Sequence, residues 1–533
     1  MPKIIIDGKE IECRGGVPVL RAALEAGWDV PHYCYHPGLS IVASCRLCLM
    51  EMKMPHPKTG ELQWAPRLVP SCQTPVKDGM EVRFQSPLVQ QNQQHVMEYY
   101  LLNHPLDCPV CDKAGECYLQ DYTEDYGPGA SRMVEEKTKN PKKDIGSHTL
   151  LYQDRCVLCT RCVRFCGEIA GQGELTVVDR GNRAEIDVFP GVPLENELQG
   201  NVVDLCPVGA LLDKDFLFKQ RVWELRSADS VCAGCSRGCT IHVDHYDDNL
   251  RRLRPRFNEK VNEWWMCDEG RFGWKYVQAA NRLRHPRRIV GGEGQTLRWE
   301  ELPGLLRGEF ARAAQPDGGA GVAAVLSPMM SCEEAWLLAS FVREVAPKST
   351  LALGFVPLVG QDQKFAKGFV IKNEKCPNRR GVELVLKHFG GATTGFDDFV
   401  TQAGDGRFKA AFLAGGYPTP WASDTLATAA KRIPLVAVHD LFAGKLDAAA
   451  TFQIPGASWA EREGSFVNCD GLLQAFSRAI KPLDGVKFDG QFYYELAGQS
   501  GFFRAARFRQ QMAAGVPAFA NVHVPQHEPK FAH

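Results

Sequence analysis

Apolar and polar residues alternate over residues 3–13 (KIIIDGKEIEC) around an Asp-Gly pair, and this pattern predicts a β-hairpin. Over residues 17–27 (VPVLRAALEAG) the apolar positions fall at helical spacing and end on a glycine, which predicts a short amphipathic helix. Residues 95–102 (HVMEYYLL) also read as helical. Far along the chain the pattern changes. GVAAVLSPMM (321–330), KAAFLAGGYP (409–418) and IPLVAVHDLF (433–442) are short apolar runs that end in loops, and CEEAWLLASFVREVA (332–346) is an amphipathic helix after the first of them. Buried strands followed by helices predict a parallel sheet with crossover connections, so the region from about residue 285 onward reads as α/β.

At 533 residues the chain has room for several domains, each with its own core. Lys plus Arg (62) balance Asp plus Glu (63), which points to neither nucleic acid nor a membrane surface as the main partner. No apolar run reaches the ~18 residues of a spanning helix. The start, MPKIIIDGKEIEC, lacks the basic stretch and apolar core of a secretory signal. The expectation is a soluble chain whose role at any membrane comes through partner subunits.

The cysteines change the picture. Seventeen of the twenty lie before residue 290, in tight groups, and only Cys332, Cys376 and Cys469 lie beyond. A secreted disulfide scaffold is small, with cysteines spread through it; grouped cysteines in a large chain point to metal or cluster ligation in a reducing compartment. Four groups stand out. The first is Cys34, Cys45, Cys48 and Cys72. The second is HPLDCPVCDKAGEC, with His104, Cys108, Cys111 and Cys117; Pro105 starts a turn that lets the imidazole share one loop with the thiolates. The third is CVLCTRC, with Cys156, Cys159 and Cys162, joined by Cys206 in DLCPVGAL. The fourth is Cys232, Cys235, Cys239 and, after 27 residues, Cys267. A tetrahedral zinc ion competes with an iron–sulfur cluster at the first, second and fourth groups. At the third, two-residue gaps wrap three corners of a cubane and a distant Cys-Pro supplies the fourth, a pattern zinc does not need. Cys13, Cys166, Cys332, Cys376 and Cys469 are left over and read as core thiols. Arg155, Arg161 and Arg164 crowd the third group, either as cations that favour a reduced cluster or as a solvated face.

Hairpin, helix and cysteine loop at the front resemble the β-grasp fold of plant-type [2Fe–2S] ferredoxins, although the first gap holds ten residues instead of four. The second group is similar to the one-His/three-Cys [4Fe–4S] site of respiratory complex I and iron-only hydrogenases, where a neutral imidazole in place of a thiolate leaves the site one unit less negative. The third resembles the bacterial ferredoxin run. The fourth, with CDEGRF at 267–272, resembles the N-terminal [4Fe–4S] domain of molybdopterin oxidoreductases, and residues 452–485 (FQIPGASWAEREGSFVNCDGLLQAFSRAIKPLDG) are similar to a recurrent segment of that fold. In cofactor-containing relatives a lysine stands two residues after the fourth cysteine. Here that place is Glu269, and a carboxylate there is expected to disfavour electron arrival and to miss the lysine's contact. GGAG at 318–321 precedes its strand, so it is no dinucleotide loop.

In this order the four groups identify the chain as a member of the large iron–sulfur subunits of respiratory complex I, the NADH-quinone oxidoreductases. The resemblance implies a multi-domain α+β and α/β chain: a β-grasp [2Fe–2S] ferredoxin at 1–78, the one-His/three-Cys [4Fe–4S] module at 79–118, a bacterial-ferredoxin-like [4Fe–4S] module at 119–224, a molybdopterin-oxidoreductase-type [4Fe–4S] module at 225–284 and a shortened molybdopterin-oxidoreductase-like domain without pterin at 285–533. It implies one [2Fe–2S] and three [4Fe–4S] clusters, no catalytic residue, and electron relay from an NADH/FMN flavoprotein subunit toward quinone. The implied partners are that subunit, a [2Fe–2S] subunit and quinone-proximal peripheral subunits, at the cytoplasmic face of the bacterial inner membrane. Two competing readings are a formate-dehydrogenase-type molybdopterin subunit and a zinc-stapled interaction protein.

Overall fold

Asp7 and Gly8 both adopt left-handed backbone (φ 49° and 83°), the pair of angles a two-residue type I′ hairpin needs. They join β1 (Lys3–Ile6) to β2 (Lys9–Glu12) in antiparallel register, Ile6 opposite Lys9. The computed structural model describes residues 1–56, 58–390 and 394–526. It comprises two units: residues 1–225 with the segment Phe365–Phe369, and residues 226–364 with 370–526.

In the first unit, α1 (Val19–Glu25) follows the hairpin, and β3 (Leu49–Pro55), β4 (Leu62–Trp64), β5 (Val69–Pro70) and β6 (Glu81–Arg83) complete a mixed sheet of order β2-β1-β6-β3-β4, with β5 on β3. The helix buries Val19, Leu20, Ala22 and Ala23 against Ile4, Ile6, Met50 and Val82. Then come α2 (Pro87–Leu101), capped by the Ser86 hydroxyl, and α3 (Tyr118–Tyr126). A three-stranded sheet, β7 (Lys142–Asp144), β8 (Thr149–Tyr152) and β11 (Leu211–Asp213), surrounds an insertion carrying α4 (Arg161–Phe165), the hairpin β9 (Leu175–Val178) and β10 (Glu185–Val188), and α5 (Asn201–Leu205).

The second unit opens with the antiparallel sheet β12 (Arg226–Val231), β13 (Thr240–Tyr246) and β14 (Asn249–Pro255), followed by α6 (Asp268–Phe272). Its main sheet has seven strands: β15 (Arg287–Val290), β16 (Glu293–Thr296), β17 (Val322–Leu326), β18 (Thr350–Leu353), β21 (Ala410–Ala414), β22 (Leu435–Asp440) and β23 (Phe452–Pro455). The order is β16-β15-β23-β22-β21-β17-β18, and the five from β23 to β18 run parallel. Three are the apolar runs of the sequence, and β17, β21 and β22 are buried throughout, as a sheet covered on both faces requires. The helices α7 (Leu302–Ala314), α8 (Cys332–Val345), α9 (Arg379–Gly390), α10 (Phe396–Gly404) and α11 (Asp424–Ala430) supply the layers; α8 starts with a full capping box between Ser331 and Glu334. Two short hairpins, β19 (Gln363–Lys364) with β20 (Val370–Ile371) and β24 (Gly464–Val467) with β25 (Leu473–Phe476), and the helices α12 (Asp489–Leu496) and α13 (Ala505–Gly515) complete it. The fold is mixed α and β with several sheets, as the sequence implied.

Candidate metal centres

The loop from α1 to β3 carries Cys34, Cys45 and Cys48, and Cys72 follows β5 by one residue. Left-handed backbone at Ala43 and Arg46 curls this loop inward, and all four cysteines are buried. Their sulfurs pair: Cys45 donates to Cys34 and Cys72 to Cys48, which pushes the accepting thiols Cys34 and Cys48 down and the donors Cys45 and Cys72 up. Cys72 also feels the charge of Cys34 and Cys45, so the four donors form one group.

His104 lies just beyond α2, Cys108 opens a single 3-10 turn that Cys111 closes, and Cys117 sits immediately before α3. Together they line a small cavity of about 20 Å³ with Asp107, Arg155 and Gly209. Burial, then the nearby Arg155 and Lys137, hold the His104 imidazole down to about 4, so at neutral pH it is uncharged and offers a ring lone pair. Burial raises Cys111, and Cys117 to about 11. Cys108 alone of the four cysteine sets is exposed. A side chain at Gly209 would not fit, since its Cβ would come 2.2 Å from Cys111 Sγ.

Cys156, Cys159, Cys162 and Cys206 line a second small cavity of about 20 Å³. Left-handed backbone at Leu158 and Thr160 bends the CVLCTRC loop around it, Cys162 enters on α4, and Cys206 follows the end of α5. The Leu158 N–H donates to Cys156 Sγ at 3.3 Å. Burial pushes Cys156 and Cys162 up, and Cys159 to about 11. The neighbouring Cys166 is wholly buried and its thiol is pushed up to about 12, a core thiol as expected.

The second and third sets adjoin. Arg155, next to Cys156, bonds Asp107 through Nε (3.1 Å) and Nη2 (2.7 Å), and the Tyr118 N–H, next to Cys117, donates to the Pro207 carbonyl beside Cys206 at 2.9 Å. The first and third adjoin as well. Arg161 Nη2 donates to the Tyr35 carbonyl (2.5 Å) and Arg164 Nη2 to the Cys34 carbonyl (2.5 Å). Arg155 and Arg161 are only 2 % and 1 % exposed, so the alternative of a solvated face does not hold for either.

In the second unit Cys232 follows β12 directly, Cys239 precedes β13, Cys235 lies between them, and Cys267 precedes α6. All four are buried, and burial raises their thiols, Cys232 to about 12; neighbouring sulfurs of the set add to this at Cys232, Cys239 and Cys267, and Glu269 at Cys235. Residues 372–376 close over this set: the Lys372 N–H donates to Cys235 Sγ, and the Ser236 N–H donates to the Glu374 carbonyl at 2.9 Å. Lys375 Nζ meets Glu269 Oε2 at 2.5 Å. Glu269, read from the sequence as a carboxylate that disfavours electron arrival, does not act alone: a lysine arrives from 106 residues along the chain, and both charges act on Cys232 and Cys235.

The donor chemistry of the four sets fits iron–sulfur clusters: thiols in curled loops, N–H groups aimed at sulfur, one neutral imidazole, and a glycine where a side chain would strike a ligand. Among the described residues, no three His, Cys, Asp or Glu side chains converge to hold a single metal ion. Strand order reverses between β17 and β21, the place where an open α/β sheet takes a ligand, and side chains pack into it. Met329 and Tyr417, just past those strands, pack there with Cys376, Phe355, Val356 and Trp421. The Tyr417 hydroxyl donates to the Phe355 carbonyl (2.5 Å), and Trp421 Nε1 donates to Asp440 (2.7 Å), which also accepts from the Gly416 N–H.

Sequence reasoning missed Lys375, Lys372 and Gly209 and saw Arg161 and Arg164 only as local charge. Their partners lie tens to hundreds of residues away, and no local spacing signals them.

Four family profiles match the chain in order: a 2Fe-2S iron-sulfur cluster binding domain over residues 3–87, the NADH-ubiquinone oxidoreductase-G iron-sulfur binding region over 93–132, the NADH-quinone oxidoreductase subunit 3 ferredoxin-like domain over 146–212, and the molybdopterin oxidoreductase Fe4S4 domain over 225–279. Among curated proteins the chain is similar to the NADH-quinone oxidoreductase G subunit of Rickettsia bellii, 36% identical over 65% of this chain and 48% of that protein. It is also similar to the NADH-ubiquinone oxidoreductase 75 kDa subunit of Reclinomonas americana, 40% identical over 56% of this chain and 42% of the relative. The chain thus spans about half the length of the curated relatives it matches. A solved NAD+-reducing [NiFe]-hydrogenase chain is 28% identical, covering 42% of this chain and 91% of its own, with a TM-score of 0.36.

Proposed function

We propose that this chain is the iron–sulfur relay subunit of the peripheral arm of a proton-translocating NADH:quinone oxidoreductase: 65% of its length aligns with an NADH-quinone oxidoreductase G subunit, and two of its four matched iron–sulfur domains, at 93–132 and 146–212, are described as domains of such subunits. It takes electrons from an NADH/FMN flavoprotein subunit, packs with a [2Fe–2S] partner subunit, and passes the electrons toward quinone-proximal subunits. It meets the membrane only through the complex, at the cytoplasmic face of the bacterial inner membrane. No helix among the described residues is long and apolar enough to cross a membrane.

In this reading Cys34, Cys45, Cys48 and Cys72 hold a [2Fe–2S] cluster. His104/Cys108/Cys111/Cys117, Cys156/Cys159/Cys162/Cys206 and Cys232/Cys235/Cys239/Cys267 hold one [4Fe–4S] cluster each. The ligand sets fall into the modules 1–78, 79–118, 119–224 and 225–284, and 285–533 is a scaffold without pterin. The clusters, when bound, supply one-electron chemistry. The chain's own residues bury the ligands from water, fix them in curled loops and set the local charge. The observation that carries the reading is the frame of the first unit, where Arg161 and Arg164 tie the first ligand loop to the third set, and Arg155 ties the third to the second. The filled crevice between β17 and β21 supports relay over a molybdopterin enzyme.

Anaerobic iron and sulfide analysis with electron paramagnetic resonance tests the proposal. About fourteen irons per chain, with one two-iron and three four-iron signals on reduction, are expected. Ten or fewer would mean that a set is misassigned, and one zinc per set in a colourless protein would overturn the reading.

A further inference from the structure

Arg161 and Arg164 sit three residues apart on α4, the spacing that puts two side chains on neighbouring parts of one helix face. Each reaches in two directions. Arg164 Nη2 donates to the Cys34 carbonyl at 2.5 Å and to the Cys159 carbonyl at 3.2 Å, and its Nη1 donates to the Ser40 carbonyl. Arg161 Nη2 donates to the Tyr35 carbonyl at 2.5 Å, and its Nη1 to the Leu205 carbonyl, beside Cys206, at 3.4 Å. Two adjacent carbonyls of the first ligand loop are thereby held by two guanidiniums of the third.

These contacts are all to carbonyl oxygens, which carry no full opposite charge. A guanidinium cannot shed its proton, so a buried one needs an anion nearby. His32 and His36 are buried in the same loop, and an imidazole is neutral or positive. Neither imidazole supplies a countercharge. Glu168 reaches Arg164 through space but is itself paired with Lys367 at 2.9 Å and with the Ser40 N–H at 3.0 Å. The groups left on both sides are the ligand sulfurs: Cys34 of the first set and Cys159 of the third both act on Arg164, and each is a thiolate once it holds a cluster.

We propose that Arg161 and Arg164 are positioning residues that clamp the first and third ligand sets together and act as one shared countercharge for both. This rests on the reading that those sets hold clusters. Because the same two cations face both sets, their loss acts on two reduction potentials at once, while their grip fixes the backbone of residues 33–40. The second effect needs two-handed geometry; the first needs only charge.

The experiment uses the intact chain with its native iron and sulfide content. Midpoint potentials of the two-iron signal and the third set's four-iron signal are read by redox titration under electron paramagnetic resonance, and amide hydrogen exchange is followed over residues 33–40. Arg164→Gln is expected to lower both potentials together and to speed that exchange about tenfold or more. Arg164→Lys is expected to restore the potentials but not the exchange protection. Arg161→Gln should repeat the double shift. A shift in one potential only, or none, overturns the shared countercharge, and unchanged exchange in both Arg164 variants overturns the clamp. Should Arg164→Gln fail to fold, Arg164→Lys decides the clamp and Arg161→Lys against Arg161→Gln decides the charge. Failure of the underlying reading looks different: the unaltered protein would then show no two-iron signal at all.

Discussion

Lys375 Nζ lies 2.5 Å from Glu269 Oε2, at the edge of the set formed by Cys232, Cys235, Cys239 and Cys267. Lys375 is largely buried and Glu269 is half-exposed, so water screens the carboxylate more than the ammonium. Lys375→Met should therefore lower the potential of the cluster at this set more than Glu269→Gln raises it. A redox titration with both variants and the double variant decides this; equal and opposite shifts would contradict the unequal screening.

His104 is neutral at neutral pH, so His104→Cys replaces an uncharged donor by a thiolate. The added negative charge should lower the potential of the cluster in the second set while iron content stays the same. Titration of that four-iron signal alone reads the shift, and an upward movement would exclude a charge origin.

The thiols Cys117, Cys159 and Cys232 stand near 11, 11 and 12 because burial favours their neutral form. In the unfolded chain a thiol ionises near pH 8.5. The folded metal-free protein therefore binds more protons than the unfolded one between those values, and its stability falls as pH rises from about 8.5 toward 11. Ligation by iron leaves the folded thiolates without protons and removes this slope. Melting curves of metal-free and iron-loaded protein from pH 7 to 10 should diverge, with only the former falling.

Arg282 Nη1 and Glu461 Oε2 are 2.8 Å apart with both side chains fully buried, and Glu461 also accepts the Ser458 N–H at 2.6 Å. Glu461→Leu leaves the guanidinium charged and unpaired. The second unit should lose about 3 to 5 kcal/mol of stability, read from denaturant unfolding, while the signals of the first three sets stay unchanged. A loss below about 1 kcal/mol would place the pair in the class of exposed bridges.

Much of this was legible from local spacing. The hairpin at 3–13, the helix ending at Gly27, the three apolar runs of the parallel sheet and the grouping of cysteines all write their geometry into residues a few positions apart. Loop curvature at Leu158 and Thr160 was implied by two-residue gaps. What stayed hidden are contacts that join distant residues. Arg164 meets Cys34 across 130 positions and Lys375 meets Glu269 across 106, and neither leaves a periodic trace. Glu269 shows the cost: its charge is legible in the sequence and its partner Lys375 is not.

Gly209 belongs by chain position to the ligand stretch of the third set, yet the sulfur it makes room for is Cys111 of the second. One socket wall is thus shared by two cassettes that look separable when the chain is cut into segments. A chimera that imports residues 93–132 from a relative while keeping the local 207–223 would mate a foreign thiol with a native wall, where Arg221 also grips the Cys111 carbonyl. Exchange by recombination should succeed only when both stretches travel together.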